Sequence, residues 1–318
     1  MNTLSKQEKD INYIKMEKPV VIVDLEKPIA DVSPLYKAII DASFAMTEVG
    51  IYNLALKVDQ ETEIDGLLQK INKDNMLKCI TRIQTDSVLL HSEFSNKENA
   101  VIYCGNIENN CDKLQDLKNT VAIPTIIKAT DQNYLKIMEF ISQLDESFKN
   151  TLIVNANINM DSDVNTDFIS WIHMDELYCS IIDIQRKHPS IAILMDYGIL
   201  PLRLLAEHPC NGYVCSHDTC HSFKNNMPRR LFIDGTGEVL PEHPKMPQSY
   251  SMGNIYKNDF LTILETYKDS QQHIAFLALA KNMYTKWVQT CPYRVIPWSD
   301  LLLQMAISEN REVCNDKS

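Results

Sequence analysis

Along the first two thirds of the chain, the spacing of hydrophobic residues alternates between two patterns, one typical of strands and one typical of helices. Short continuous apolar runs, such as 20–25 and 100–104, are typical of strands buried in a parallel sheet. Between them, apolar residues recur every three or four positions, which predicts amphipathic helices. The clearest helical stripe consists of Tyr134, Ile137, Met138, Ile141 and Leu144. The pattern therefore predicts strands and helices that alternate along the chain.

This alternation predicts an α/β protein with a parallel sheet, because parallel neighbours need a crossover connection that is usually a helix. The strands are predicted at 20–25, 54–58, 79–83, 100–104, 121–127, 152–154 and 191–194. About six or seven β-α units fit a partial (β/α) barrel better than a complete eightfold one. We assign this barrel to residues 1–200.

The pattern changes after Pro201, and residues 201–318 are predicted to form a second, smaller module. Residues 230–240 indicate a β-hairpin, because two apolar runs flank the turn sequence Asp-Gly-Thr-Gly. Helices are predicted at 259–267, 273–288 and 299–307, and the polar residues after them are expected to fray.

Composition narrows the classes of partner. The 318 residues carry a net charge of −11, which argues against a nucleic-acid binder with a basic footprint. No apolar stretch is long enough for a membrane span, and the polar N-terminus lacks the features of a signal peptide. We therefore expect a cytoplasmic protein with reduced thiols, no membrane contact and no disulfides. With only 8 glycines, the chain contains no phosphate-binding glycine loop.

The strongest chemical signal is the segment 208–221, in which cysteine and histidine are concentrated. Cys210, Cys215 and Cys220 recur at intervals of five, and His208, His217 and His221 lie around them. Thiolate and imidazole are the ligands of zinc and related metals, and a zinc site takes four of them. The segment therefore predicts one metal site. The spacing differs from the tight pairs of a zinc knuckle, so the fourth ligand stays open.

A catalytic metal would need an open coordination position and a nearby general base, for which Asp218 and Glu242 are the candidates. A closed structural site that stabilises a loop-rich module is the alternative. Three carboxylates at predicted strand ends, Asp24, Glu26 and Asp196, are candidates for a barrel pocket or for solvated strand ends. Trp287, Tyr293 and Trp298 indicate either a binding surface or a small core.

Several motifs of the second module resemble those of radical SAM peptide maturases with a C-terminal SPASM domain. The hairpin pattern I-x-x-x-G-x-V-x-P-C of that family is matched at Ile233, Gly237, Val239 and Pro241. Residues 251–255 (Ser-Met-Gly-Asn-Ile) and 291–294 (Cys-Pro-Tyr-Arg) resemble its later segments. The resemblance implies a radical SAM-like barrel followed by a SPASM-like module, and it adds an iron–sulfur cluster to zinc as an occupant of the metal site.

The chain departs from this family where the radical chemistry takes place. The family binds its catalytic cluster through C-x3-C-x2-C after the first strand, whereas no cysteine precedes Cys79 here. The family's Gly-Gly-Glu segment is missing, and the hairpin cysteine is replaced by Glu242, with His243 beside it. SAM is therefore not an expected cofactor. His243 and Cys291 become candidates to complete the metal site.

These features resemble the SPASM-domain maturases of grasp-with-spasm peptide systems, which pair with an ATP-grasp ligase and lack a working radical SAM site. The resemblance implies a pseudoenzyme of ribosomal peptide (RiPP) maturation that binds a precursor peptide, a modifying partner such as an ATP-grasp ligase, or both. Two alternatives remain open. One is an iron- or zinc-dependent enzyme that modifies a peptide at 208–221, and the other is a zinc-stapled protein-interaction module.

Overall fold

The structure is a computed structural model, and the positions that it describes fall into several ranges. These are residues 20–24, 32–48, 53–57, 80–85, 100–104, 125–148, 151–156, 158, 168–195, 198–214, 227–228 and 230–315. The strands are β1 (Val20–Asp24), β2 (Asn53–Lys57), β3 (Ile80–Thr85), β4 (Ala100–Cys104), β5 (Thr125–Ala129), β6 (Thr151–Ala156), β7 (Ala192–Met195), β8 (Leu200–Pro201), β9 (Arg230–Asp234), β10 (Glu238–Pro241), β11 (Gly253–Asn254) and β12 (Val295–Ile296). The helices are α1 (Val32–Glu48), α2 (Tyr134–Ser142), α3 (Trp171–Lys187), α4 (Leu202–Glu207), α5 (Phe260–Tyr267), α6 (Gln271–Trp287) and α7 (Trp298–Asn315).

Parallel strands form the centre of both larger sheets. The first sheet has the order β11-β10-β9-β1-β2-β3-β4, with parallel pairing from β9 to β4 and antiparallel pairing at β10 and β11. The second sheet, β5-β6-β7, is parallel, and β4 contacts β5. A short antiparallel pair joins β8 to β12. The predicted α/β class with a parallel sheet is confirmed.

The hairpin β9–β10 extends the same sheet as the first strand of the chain. β9 pairs in parallel with β1, from Val20 opposite Arg230 to Asp24 opposite Asp234. At the turn, the Gly237 N–H donates to the Asp234 carbonyl at 2.9 Å, and Gly237 has a φ of +81°, which favours glycine. The sheet thus crosses the predicted boundary at residue 200, and the division into two domains stays a prediction.

Element bounds follow the sequence patterns closely, with differences that have local causes. β5 begins at Thr125, directly after Pro124, because proline cannot donate to a sheet ladder. α7 continues to Asn315, beyond the predicted end at 307, through glutamate and arginine residues that favour helix. Helical spacing of apolar residues in the sequence also predicts helices near 64–71 and 88–94, and both lie outside the described residues.

Two apolar clusters stabilise the described part of the fold. The first packs α2 and α3 against β5, β6 and β7, and the second packs α6 and α7 against the hairpin and the turn after α4. Trp171 contacts both clusters, so the two cores adjoin each other at this side chain. Within the described ranges, no helix is long and apolar enough to cross a membrane.

Candidate functional site

The predicted metal cluster begins at the end of α4, and the structure describes its first part. The backbone N–H of His208 donates to the Leu204 carbonyl at 2.9 Å, which ends the helix. Cys210 lies in the 3-10 turn Pro209–Gly212 and is half-buried. The positions outside the described residues are Cys215, His217, Asp218, Cys220 and His221. The ligand set of this cluster therefore remains a prediction.

The two residues suggested to complete the site, His243 and Cys291, contact other groups. Nδ1 of His243 accepts from the Lys245 N–H at 3.0 Å, and its Nε2 lies 3.6 Å from a carboxylate oxygen of Asp300. The Cys291 thiol donates to the Tyr293 carbonyl at 3.6 Å, and burial raises its pKa. Among the described residues, no three His, Cys, Asp or Glu side chains are grouped to hold a metal.

Glu242 is a fully buried carboxylate directly after β10. Its φ of +63° lies in the left-handed region, which is uncommon for a residue with a Cβ. One carboxylate oxygen accepts from the Tyr213 hydroxyl and from the Arg230 backbone N–H at 3.2 Å. The other accepts from the Ser299 hydroxyl at 2.9 Å. We call these four residues the Glu242 hub.

The Glu242 hub joins three segments that are distant in sequence. Tyr213 ends the turn after α4, Arg230 begins β9, and Ser299 lies in the first turn of α7. A general base must reach the proton that it removes, whereas both oxygens of Glu242 are hydrogen-bonded and the side chain is buried. This geometry favours a structural role for Glu242 over the catalytic role predicted from the sequence.

Two further polar groups lie buried in this region. Burial, and secondly the nearby Glu242 carboxylate, raises the pKa of Tyr267. Its hydroxyl and the indole N–H of Trp298 have no hydrogen-bond partner among the described residues. The guanidinium of Arg230 donates to Ser299 at 3.2 Å and lies 5.0 Å from the centre of the Phe232 ring. The Glu242 hub therefore lies in a buried region that contains both charged and aromatic side chains.

A second polar constellation lies just beyond the C-terminal end of β5. One carboxylate oxygen of Asp131 accepts from Nδ1 of His173 and from the backbone N–H of Ser170, both at 2.7 Å. The His173 ring stacks on Tyr134 with 4.0 Å between the ring centres. The Asp131 carboxylate accepts the hydrogen bond from Nδ1 and so fixes the orientation of the imidazole ring. This arrangement can hold or move a proton at the strand end where sites of parallel α/β folds form.

The sequence patterns did not predict this Asp131–His173 pair. Asp131 comes four residues after the predicted strand 121–127, which makes it a candidate for an edge site, but Asn133 lies equally near and no spacing in the sequence connects Asp131 with His173. The two side chains are 42 residues apart and meet because β5 and β6 are parallel neighbours. Without the sheet order, the signal does not distinguish Asp131 from other loop carboxylates.

The Asp131–His173 pair leads to a prediction about pH. Burial acts to raise the pKa of Asp131, but hydrogen bonds from Ser170 and His173 outweigh it, so the pKa is lowered. Because the pKa of this carboxyl is lower in the folded state, ionised Asp131 stabilises the fold at pH values above the unfolded carboxyl's pKa of about 3.9. This stabilisation is lost as the pH falls through the lowered folded-state pKa. We expect Asp131→Asn to lose about 0.5 kcal/mol at pH 7, because half-exposed ion pairs contribute little.

Urea titrations from pH 7 to pH 3 would measure this effect. The gap between the wild type and Asp131→Asn should close as the pH approaches 3. The matched control is Asp183→Asn on α3, since Asp183 is 65% exposed and pairs with Arg186 one helical turn away. A gap that stays constant down to pH 3 would contradict the assignment of the lowered pKa to Asp131.

The other sequence candidates are separated in the structure. Asp24 ends β1 and pairs in register with Lys57 of β2 and Asp234 of β9. Glu26 and Asp196 lie outside the described residues. Trp298 is fully buried and belongs to the core. Trp287 and Tyr293 are half-buried and pack on Trp171, with ring centres 5.7 and 5.1 Å from it.

The segment after β1 does not fit the cofactors that the family resemblance implies. An open-iron cluster that binds SAM needs three thiolates around it. Residues 25–31 read Leu-Glu-Lys-Pro-Ile-Ala-Asp, and the first cysteine of the sequence is Cys79, directly before β3. The chain therefore lacks the donor set for that cluster at that position.

Comparison with known proteins bears on the fold. No protein-family model matches the chain, and no curated protein matches it by sequence. The crystal structure of SuiB from Streptococcus suis is similar, with a TM-score of 0.54 and 11% identity over 82% of this chain and 68% of SuiB. A structure of histidine-tagged anSMEcpe with bound AdoMet has a TM-score of 0.50 and 10% identity over 94% of this chain and 96% of its own.

These likenesses support a radical SAM-like fold for this chain, in agreement with the fold expected from the sequence. At about one identical residue in ten, they show the fold alone.

Proposed function

We propose that this protein is a cytoplasmic component of RiPP maturation that binds a precursor peptide, a modifying enzyme such as an ATP-grasp ligase, or both. It uses a radical SAM-like scaffold without radical SAM chemistry. The observation that carries this proposal is the combination of that fold with a cysteine-free segment after β1. A scaffold that keeps its shape but lacks the cluster ligands retains surfaces for binding.

The hairpin region supplies further support. The motif residues Ile233 and Val239 are buried partners across β9 and β10, as a SPASM-like hairpin requires. Where the family pattern has a cysteine, Glu242 makes hydrogen bonds to three segments instead. We infer that the hub takes over the joining of segments that a cluster ligand provides in the family.

Isothermal titration calorimetry tests the binding directly. The purified chain would be titrated with candidate precursor peptides and with ATP-grasp ligases taken from its gene neighbourhood. The proposal predicts saturable binding of at least one of them, without SAM in the buffer. Absence of binding to both, at concentrations up to about 1 mM, would refute the proposed function.

We further propose that the 208–221 segment forms one structural metal site, which holds either a zinc ion or an iron–sulfur cluster. Elemental analysis and an absorption spectrum after anaerobic purification would identify it, since zinc is colourless and iron–sulfur clusters absorb visible light. The variants Cys215→Ser and Cys220→Ser should lose the metal, because each removes a thiolate ligand. Cys179→Ser, at a half-buried cysteine on α3, is the control and should keep it. Full metal content in both ligand variants would contradict the site.

A further inference from the structure

Two residues with an unusual backbone conformation meet inside the Glu242 hub. Among the described residues, only Tyr213 and Glu242 combine a Cβ with a positive φ, at +60° and +63°. Such conformations are unfavourable for residues with a Cβ, and they persist where the surrounding structure fixes them, often at functional sites. The Tyr213 hydroxyl donates to the Glu242 carboxylate, so one buried hydrogen bond joins the two unusual conformations.

The turn that ends at Tyr213 is the described part of the predicted metal segment. The candidate ligand Cys210 comes three residues before Tyr213, and the candidate Cys215 comes two residues after it. The backbone N–H of Tyr213 donates to the Cys210 carbonyl at 3.0 Å, and that of Val214 donates to the Pro209 carbonyl at 3.1 Å. The conformation of Tyr213 therefore fixes both the position of Cys210 and the direction in which the chain leaves the turn.

Side-chain packing anchors this turn to the second core. Tyr213 is buried, and its ring packs edge-on against Phe276 of α6, with 5.1 Å between the ring centres. Directly before it, Gly212 lies so close to Trp298 that a Cβ at this position would be 2.7 Å from the indole. Cys210 itself is half-buried. A thiol on a turn that is already held in place loses little conformational freedom when it binds a metal.

We propose that the Tyr213–Glu242 hydrogen bond is a positioning device for the metal site of the 208–221 segment. The bond holds Tyr213 in its left-handed conformation and thereby places Cys210 for coordination. Glu242 acts through Tyr213 and is not itself a ligand, because both of its carboxylate oxygens accept hydrogen bonds within the hub. This inference rests on the metal site under the proposed function and makes its affinity depend on the hub. Since such coupling is reciprocal, a bound metal also stabilises the hub.

Titration of the metal-free protein with Co²⁺, under anaerobic and reducing conditions, tests this coupling. Co²⁺ is the probe because its visible absorption reports tetrahedral coordination by thiolates. Tyr213→Phe keeps the ring and removes only the hydroxyl, so it should bind Co²⁺ about five- to tenfold more weakly than the wild type. Its Co²⁺ spectrum at saturation should match the wild type, because no ligand is lost. Cys210→Ser, which removes a thiolate, should change that spectrum.

Tyr250→Phe is the matched control for the loss of a hydroxyl. The Tyr250 hydroxyl also donates to a carboxylate, that of Glu309 at 3.0 Å, and Tyr250 packs in the same apolar core as Tyr213. Its Co²⁺ affinity should stay within about twofold of the wild type, because Tyr250 lies outside the metal segment. An equal loss of affinity in Tyr213→Phe and Tyr250→Phe would mean that affinity follows overall stability, and would overturn the inference.

The wild type separates this inference from the proposed metal site. If the wild type and Tyr213→Phe bind Co²⁺ with equal affinity, the positioning role is wrong and the metal site stands. A wild type that takes up no Co²⁺ would also overturn the inference, whatever metal is found after purification. If that protein also purifies without zinc or iron, the proposed metal site is wrong as well.

Discussion

Replacing Glu242 with alanine is expected to lower the free energy of unfolding by about 2–5 kcal/mol, because a buried donor left without its acceptor costs about 1–3 kcal/mol. The substitution removes the acceptor for the Tyr213 hydroxyl, the Ser299 hydroxyl and the Arg230 backbone N–H. Tyr213 and Ser299 are themselves buried, so they cannot exchange the lost bond for water without rearrangement. Urea denaturation followed by circular dichroism would measure the change.

Glu265→Ala on α5 is the control for this prediction, because Glu265 is exposed and should change the stability by less than about 0.5 kcal/mol. Tyr213→Phe removes one donor and should cost less than Glu242→Ala, since the carboxylate keeps its other two bonds. A Glu242→Ala variant as stable as the control would show that the hub does not join the segments as described.

Replacing Trp298 with alanine is expected to destabilise the fold by about 3–5 kcal/mol, the range for truncating a buried aromatic side chain. Trp298 is fully buried at the start of α7 and packs closely on Gly212, where a Cβ would lie 2.7 Å from the indole. By contrast, Trp298→Phe should cost only about 1–2 kcal/mol, because it keeps an aromatic ring and loses the indole atoms nearest Gly212, while no described residue accepts from the indole N–H.

The contrast between the two substitutions at Trp298 is the informative result, and thermal and urea unfolding would both report it. Gly212→Ala is a second measure of the same contact and should destabilise by about 1–3 kcal/mol through overpacking. If Trp298→Phe proved as costly as Trp298→Ala, the core would depend on the whole indole and not on an aromatic ring at this position, which would contradict the prediction.

The parallel strands and the helices between them could be predicted because the spacing of apolar residues is a local property of the sequence. Every described strand from β1 to β7 overlaps its predicted position. The pairing of β9 with β1 was not predictable, since a hairpin pattern fixes its internal register and not its outer neighbour. The two-residue strands β8, β11 and β12 are too short to produce a periodic signal.

The candidate site shows the same difference between features that are local in sequence and features that depend on distant contacts. Cysteine and histidine density marked the 208–221 segment, and a family motif marked the hairpin, because both are local in sequence. The Glu242 hub and the Asp131–His173 pair depend on contacts between distant segments, as with Glu242 and Ser299, which are 57 residues apart. Glu242 stood out in the sequence because it occupies the position of the family's hairpin cysteine, whereas its burial and its partners follow from tertiary packing alone.

The central claim is that this chain has a radical SAM-like fold without radical SAM chemistry. The most direct test is anaerobic incubation of the iron- and sulfide-reconstituted protein with SAM, a strong reductant and the precursor peptide, followed by mass spectrometry of the SAM that remains. The absence of cysteine donors after β1 predicts that SAM is recovered as in the protein-free control. Repeated cleavage of SAM by the protein would contradict this account.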